Sequence, residues 1–169
     1  QETIETCFST ILKQKIDIVG AGRTDAGVHA REMIAHFDYS CDFNPTKLSY
    51  QLNSFLPNDI AISNIFEVNK DAHARFSAIS RSYDYIISFK KNPLLFNRVY
   101  HLNKKLDIDQ LNDASNILFN HNDFSSFSKS KTDVKTFNCK IHHAKWELDG
   151  DLLIFSIKSN RFLRNMVRA

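Results

Sequence analysis

The sequence predicts an α+β fold, because segments with helical spacing alternate with segments of strand periodicity. Near the start, apolar residues recur at i, i+3, i+4 and i+7 from Ile4 onward, which is the pattern of one helix face. Residues 81–89 instead alternate between apolar and polar side chains, which is the period of a strand. Asp149-Gly150 lies between two apolar runs and favours a tight hairpin, so antiparallel pairing is expected.

The first part of the chain predicts helix, strand, strand, helix and strand. Short strands are expected over 16–19 and 31–39, on either side of a glycine-rich loop. Asn44 and Pro45 predict the N-cap and first position of the second helix. The buried face of that helix is expected to consist of Leu48, Leu52 and Phe55. A strand over 60–68 follows, and residues 69–80 are expected to form a loop.

The second part again mixes strands and helices. After the strand at 81–89, Asp107 predicts the N-cap of a helix. The buried face of this helix is expected to comprise Ile108, Leu111, Ser115 and Leu118. Residues 121–133 predict a polar loop anchored by Phe124 and Phe127. Strands over 137–148 and 152–158 form the hairpin, and Asn160 is expected to cap a last helix. We therefore divide the chain into residues 1–72 and 73–169.

Composition excludes few classes of function. The chain has 169 residues, 43% of them hydrophobic, with a formal net charge of +3, which is compatible with nucleic acid but does not identify it as a partner. The three cysteines lack the spacing of a zinc site and are expected to be reduced thiols of a cytosolic protein. No apolar run approaches the ~18 residues of a membrane span. The sequence does not start with Met, so we expect a piece of a longer protein.

The glycine-rich loop at 20–30 is the first candidate site. Three of the four glycines in the chain lie there, and Asp25 lies between the second and third of them. One interpretation is that Asp25 only bonds its own loop backbone, as turn residues often do. The other is that the loop presents a reactive carboxylate, with Arg23 as a nearby charged group. The loop lacks the patterns of phosphate-binding nucleotide loops.

Two further features have both a structural and a functional interpretation. Arg161, Arg164 and Arg168 share one face of the expected last helix, which predicts either a solvated basic face or a cleft that binds phosphate or a carboxylate. Tyr83 lies on the alternating strand, where it either packs in the core or offers a stacking surface for a base. His29, His73 and Arg75 flank loops without the spacing of metal ligands, so no metal is expected.

Taken together, these motifs resemble the tRNA pseudouridine synthase A family. The matching segments occur in family order and span nearly the whole chain. They are G-R-T-D-A-G-V-H-A at 22–30, N-S-F-L-P-N-D-I at 53–60, H-A-R-F-S-A at 73–78, R-S-Y-D-Y at 81–85, D-F-S-S-F at 123–127 and N-R-F-L-R-N-M-V-R at 160–168. The family's preceding Y-D-G segment and the elements after M-V-R are absent here, so we expect truncation at both ends.

The resemblance implies an activity: the isomerisation of uridine to pseudouridine at positions 38 to 40 of the tRNA anticodon stem-loop. It implies Asp25 as the nucleophile, Tyr83 stacking on the target base, Arg168 pairing with Asp25, and Arg23 helping to hold the flipped nucleotide or the RNA backbone. Attack at the ribose C1′ and attack at the base C6 both stay open. Weaker candidates for RNA contact or loop structure are His29, His73, Arg75, Phe76, Arg161 and Arg164.

The resemblance also implies the architecture and the partners. It predicts two α/β halves around an antiparallel sheet, with the site in the cleft between the halves. It predicts a cytoplasmic homodimer that binds tRNA and uses no cofactor, metal or membrane. Two alternatives remain: a noncatalytic RNA-binding module on the same scaffold, and a nucleotide-binding enzyme, for which the phosphate motif is missing.

Overall fold

A computed structural model of the chain describes residues 1–129 and 134–169. It divides into two compact units: residues 1–23 with 30–78, and residues 24–29 with 79–169. Helices and strands are mixed along the chain, which confirms the α+β class. The sequence-based division after residue 72 stays a prediction. Within the described ranges, no helix is both long and apolar enough to cross a membrane.

The first unit contains two helices, α1 (Glu2–Leu12) and α2 (Pro45–Phe55). The predicted start of α2 is confirmed, because the Asn44 side chain accepts a hydrogen bond from the Lys47 N–H at 2.9 Å and proline occupies the first turn. The helices pack over one apolar cluster, whose buried members are Cys7, Phe8, Ile16, Ile18, Leu48, Leu52 and Leu56.

One predicted core residue of α2 is wrong. Leu48 and Leu52 are buried as expected, but Phe55 is 68% exposed. The helix ends at this residue, and Leu56 turns into an extended conformation with ψ 147°. The change of direction lets Leu56, rather than Phe55, enter the core, where it is 7% exposed.

The strands of this unit are shorter than predicted. β1 (Val19–Gly20) and β2 (Ala35–His36) pair antiparallel, with Val19 opposite His36. The strand expected over 60–68 is absent from this described part of the chain. The side-chain amide of Asn53 occupies the place of a strand partner there, since it donates to the Ile62 carbonyl at 2.9 Å and accepts from the Ile62 N–H at 2.7 Å.

The second unit is built on a four-stranded sheet in the order β4-β3-β6-β5. Its strands are β3 (Arg81–Ser88), β4 (Tyr100–His101), β5 (Ile141–Asp149) and β6 (Leu152–Ser159). β3 and β6 pair antiparallel in continuous register. β4 runs parallel to β3, so the sheet is mixed rather than wholly antiparallel as expected.

The predicted hairpin between β5 and β6 is confirmed. Gly150 in its turn has φ +59°, a conformation that favours glycine. At its other end, β5 carries an irregularity between Ile141 and His143, where one extra residue interrupts the register. The strand begins at Ile141, later than the predicted 137.

Helix α3 (Ile108–Ile117) packs beside β5. Its predicted cap is confirmed, because Asp107 accepts hydrogen bonds from the N–H groups of Asp109 and Gln110 at 3.0 and 3.1 Å. Asn112 ties the helix to the strand, as its side chain accepts from the Trp146 N–H at 2.8 Å and donates to the Trp146 carbonyl at 3.1 Å.

The loop predicted over 121–133 is described up to residue 129, and residues 130–133 lie outside the described part of the chain. Phe124 anchors it, with 2% exposure in the core of the second unit. Phe127 is 38% exposed, and its ring lies 5.9 Å from that of Phe124. Of the two predicted anchors, Phe124 is therefore buried and Phe127 is not.

The predicted last helix is wrong. Residues 164–168 form turns, and Asn165 has φ +73°, a left-handed conformation that a continuous α-helix does not admit. Asn160 does not cap a helix either, because its side chain accepts a hydrogen bond from the Lys140 N–H at 2.8 Å. The three arginines of this segment therefore do not form a helical stripe.

We predict that Leu52→Ala destabilises the chain strongly whereas Phe55→Ala does not. Leu52 is 0% exposed, so its truncation leaves a cavity and should cost about 2–5 kcal/mol of unfolding free energy. Phe55 lies on the same helix but is mostly exposed, and its truncation should change that free energy by less than about 0.5 kcal/mol. Urea denaturation measures both. A larger loss for Phe55→Ala than for Leu52→Ala would contradict the described packing.

We predict that only Cys41 reacts rapidly with iodoacetamide in the folded chain. Cys41 is exposed, whereas burial raises the pKa of the Cys7 and Cys139 thiols, with Arg161 partly opposing the shift at Cys139. A raised pKa lowers the fraction of reactive thiolate at a given pH, and burial also restricts access. Mass spectrometry should therefore find one modified thiol before denaturation and three after it. Cys41→Ser removes the fast reaction and serves as the control; rapid labelling of Cys139 would contradict the prediction.

Candidate active site

The glycine-rich loop forms a tight turn at its carboxylate. The carbonyl of Asp25 accepts a hydrogen bond from the Val28 N–H at 3.3 Å. Gly27, the third residue of this four-residue turn, has φ +80°. A positive φ at that position is typical of a type II turn and favours glycine. The backbone therefore closes the turn, and it does so on the residue that carries the carboxylate.

The side chain of Asp25 makes no polar contact that holds this loop among the described residues. It is exposed, and within residues 1–129 and 134–169 its carboxylate forms no hydrogen bond or ion pair. The interpretation of Asp25 as a turn residue that bonds its own backbone does not describe this loop, since the backbone makes the turn alone. The carboxylate is left available for chemistry.

Arg168 lies against the same loop. Its Nη2 donates to the carbonyl of Ala26, next to Asp25, at 3.4 Å. The backbone N–H of Arg168 bonds the carbonyl of Asn165 at 2.9 Å, so the left-handed residue also fixes the turn that carries this arginine. Buried Leu163 and Met166 anchor the segment in the core. The ion pair expected between Arg168 and Asp25 is not formed among the described residues.

Tyr83 belongs to the same unit and is half-buried on β3. Its backbone lies opposite Ile157 of β6, and its ring meets that of Phe162 edge-on, with centroids 5.1 Å apart and planes at 82°. This contact holds the tyrosine ring from one side. An edge-to-face pair of this kind contributes roughly 0.5–1.5 kcal/mol beyond its buried area.

Phe162 is a residue that sequence reasoning missed as part of this site. It follows Asn160, which was expected to cap a last helix, and residues 160–169 form no helix in the structure. Because β6 ends opposite the start of β3, the residues after Ser159 return beside Tyr83. The pairing of two strands far apart in the sequence would have revealed the contact, and no local pattern signals it.

The remaining predicted residues of the second unit occupy separate places. His29 is exposed in the glycine-rich loop. Arg164 is exposed in the last segment of the chain, and its carbonyl accepts a hydrogen bond from the Lys129 N–H at 3.0 Å. Arg161 is half-buried and close enough to Cys139 to affect its pKa. Among the described residues, none of these side chains forms a hydrogen bond or ion pair with Asp25.

Four predicted residues belong to the first unit: Arg23, His73, Arg75 and Phe76. Arg23 is exposed. The rings of His73 and Phe76 are 4.3 Å apart, and the guanidinium carbon of Arg75 lies 5.8 Å from the Phe76 ring centroid. Phe76 is 77% exposed, so this turn presents an aromatic face beside a cation. Within the part of the chain described, no group of three or more metal-ligating side chains occurs.

Comparison with known proteins first identifies the class of enzyme to which the chain is similar. A family model described as tRNA pseudouridine synthase matches residues 114–169, which contain the β5–β6 hairpin and Arg168. The chain is 49% identical over 170 residues to tRNA pseudouridine synthase A of Parabacteroides distasonis, covering 100% of this chain and 68% of that protein.

Further relatives with the same name agree. The Porphyromonas gingivalis protein is 48% identical over 173 residues, covering 100% of this chain and 69% of the relative. The Bacillus licheniformis protein is 38% identical over 172 residues, covering 99% and 70%. The chain belongs to the tRNA pseudouridine synthase A family, as its sequence motifs indicated.

Proposed function

We propose that Asp25 is the nucleophile with which this tRNA pseudouridine synthase isomerises uridine in the anticodon stem-loop of tRNA, at positions 38 to 40. The activity itself, an isomerase reaction on tRNA, follows from family membership. One observation carries the choice of residue: the exposed carboxylate of Asp25 has no partner among the described residues, on a turn that the backbone closes alone.

The reaction needs a nucleophile because the uracil must be released or loosened before it can rejoin through carbon. In one route a carboxylate oxygen bonds to the ribose C1′ while the C1′–N1 bond breaks and N1 keeps its electron pair. The uracil then rotates, C5 attacks C1′, and the carboxylate leaves as the C5 proton is lost and N1 is protonated. In the other route the carboxylate first adds to C6 of the base. Both routes return the carboxylate unchanged.

We propose that Tyr83 stacks on the target base. A uridine in a stem must leave its stack to reach the carboxylate, at a cost of a few kcal/mol. Stacking on an aromatic ring recovers roughly 1–3 kcal/mol per base. The edge-on contact with Phe162 supports this assignment, because it occupies one side of the tyrosine and limits the orientations of its ring.

We propose that Arg168 pairs with the Asp25 carboxylate when substrate is bound. Its guanidinium already bonds the carbonyl of Ala26, the next residue. The planar guanidinium suits a carboxylate better than an ammonium does, because it can donate two parallel hydrogen bonds. A shift of the side chain from Ala26 to Asp25 would orient the nucleophile.

The RNA contacts are proposed from charge and exposure. Arg75 and Phe76 combine a cation with an exposed ring, which suits a phosphate and a base. The His73 ring packs against the Phe76 ring, with centroids 4.3 Å apart, and so supports the turn. Arg23 is proposed to hold the flipped nucleotide or the RNA backbone. Further contacts are proposed for His29, Arg161 and Arg164.

The larger assembly is also a proposal. Two α/β halves would enclose the site in the cleft between them, and the enzyme would act as a cytoplasmic homodimer without a cofactor. Light scattering of the purified full-length protein, alone and with tRNA, tests the dimer.

Asp25→Asn should abolish pseudouridine formation while tRNA binding largely persists, because the amide keeps the size of the side chain but is a poor nucleophile. We expect kcat to fall by more than roughly 1,000-fold. Pseudouridine mapping on tRNA treated with the full-length protein measures product, and a filter-binding assay measures affinity. Asp113→Asn, an exposed aspartate on α3, is the matched control and should keep full activity.

Two results would contradict the proposal in different ways. Full activity of Asp25→Asn would remove Asp25 as the nucleophile but leave the enzyme class intact. A wild-type protein that binds tRNA yet forms no pseudouridine would instead support the noncatalytic RNA-binding module.

Gly27→Ala should lower activity whereas Gly150→Ala should not. Both glycines have positive φ and no atom within 4 Å of an added Cβ, so each substitution strains the backbone without a clash. Each should cost about 1–2 kcal/mol of unfolding free energy. Only Gly27 shapes the turn of Asp25, and displacing a reactive group by ~1 Å can lower kcat about 100-fold. Equal kcat values for the two variants, measured on tRNA, would contradict this account.

A further inference from the structure

The turn at 73–77 in the first unit is held by its own side chains. The Ser77 N–H bonds the carbonyl of His73 at 2.8 Å, and the Ser77 hydroxyl accepts from the His73 N–H at 3.0 Å. The Nδ1 of His73 accepts from the N–H groups of Arg75 and Phe76 at 3.1 and 3.3 Å. The imidazole of His73 therefore fixes the backbone of the two residues that present the cation and the exposed ring.

His36 extends this network from a different part of the sequence. Its Nδ1 accepts from the Ala74 N–H at 3.1 Å, and its ring lies 4.5 Å from the ring of His73 at an interplanar angle of 58°. Three consecutive backbone N–H groups, those of residues 74–76, thus donate hydrogen bonds to two imidazole nitrogens. Of these three bonds, the one from Ala74 is partly buried, so its N–H is the costliest to leave without an acceptor, whereas those of Arg75 and Phe76 are exposed.

His36 links the turn at 73–77 to the pair of strands β1 and β2. It is half-buried on β2, directly opposite Val19 of β1. A nitrogen that accepts a hydrogen bond carries no proton, so Nδ1 is the accepting nitrogen of both imidazoles in this geometry. The geometry therefore requires an acceptor at the Nδ1 position of residue 36, and it does not require a charge there.

We propose that His36 is a positioning residue for tRNA binding, acting through His73 and Ala74 to orient Arg75 and Phe76. This inference rests on the proposed RNA contact of the turn. A flexible turn would have to be ordered when RNA binds, at an entropic cost, whereas a turn that is already held binds without it. The chemistry recognised is that of single-stranded or flipped-out RNA, with a phosphate for the guanidinium and a base for the ring.

The test compares two substitutions of His36 in the full-length protein. His36→Leu keeps the approximate bulk of the ring but removes the acceptor. His36→Asn places a carbonyl oxygen close to the position of Nδ1 and preserves the bond to Ala74. We expect His36→Leu to raise KM for tRNA by roughly tenfold, the effect of losing the acceptor of the partly buried Ala74 N–H. kcat at saturating tRNA should stay within about twofold of wild type, and His36→Asn should restore KM.

A double-mutant cycle separates positioning from a general loss of stability. In a protein that carries Arg75→Ala and Phe76→Ala, the turn no longer presents contacts to orient, so adding His36→Leu should not raise KM further. The unfolding free energy of each variant is measured in parallel. Amide hydrogen exchange of Ala74 in the wild-type protein gives an independent check, and we expect it to be slow.

The outcomes distinguish this inference from the proposed function. If Arg75→Ala with Phe76→Ala leaves KM unchanged, the proposed RNA contact of the turn is wrong. If that variant raises KM but His36→Leu does not, only the positioning inference is wrong. A failure of His36→Asn to restore KM, an additive cycle or rapid exchange at Ala74 would likewise overturn it.

Discussion

The antiparallel pairing of β3 with β6 is the constraint on which the candidate active site depends. It runs without interruption from Arg81 opposite Ser159 to Ser88 opposite Leu152. These strands are far apart in sequence, and their pairing joins the local β5–β6 hairpin to the distant strand β3 and sets where Tyr83 lies. The same register returns the chain after β6 to that tyrosine, where Phe162 contacts it.

The end of β6 determines the direction in which the last segment leaves the sheet. The Ser159 hydroxyl donates to the Lys140 carbonyl at 2.8 Å, and the Asn160 N–H donates to the same carbonyl at 3.2 Å. The Asn160 side chain in turn accepts a hydrogen bond from the Lys140 N–H. With this exit fixed, the turn at Asn165 carries the guanidinium of Arg168 to the loop of Asp25. Backbone geometry thus places the charged groups, and among the described residues the Asp25 carboxylate forms no bond that holds the loop.

Features encoded over a few residues could be predicted from the sequence, and features that depend on distant partners could not. The caps at Asn44 and Asp107 and the turn at Gly150 follow from local chemistry, and all three are present. The strand expected over 60–68 failed because a side-chain amide replaced the neighbouring strand. The last helix was predicted because its apolar and basic residues recur with a helical period. That prediction failed because the Asn160 side chain bonds Lys140 and Asn165 adopts a left-handed conformation. In the candidate site, glycine placement predicted the tight turn at Asp25, whereas the surroundings of Tyr83 depend on non-local pairing.

The extra residue in β5 has a consequence for how this part of the chain can vary. Cys139 and Ile141 are buried before the irregularity, and Ala144 is buried after it, so the inward-facing positions change from odd to even numbers at that point. Residue 142 is the extra one, so its removal would leave Ile141 and Ala144 two positions apart, which is the normal spacing of residues on one strand face. Cys139 and Ile141 would then keep facing inward, whereas removing a residue from the regular part of β5 would turn the side chains on one side of the deletion to the opposite face. A change in length is therefore easier to accommodate at residue 142 than elsewhere in the strand.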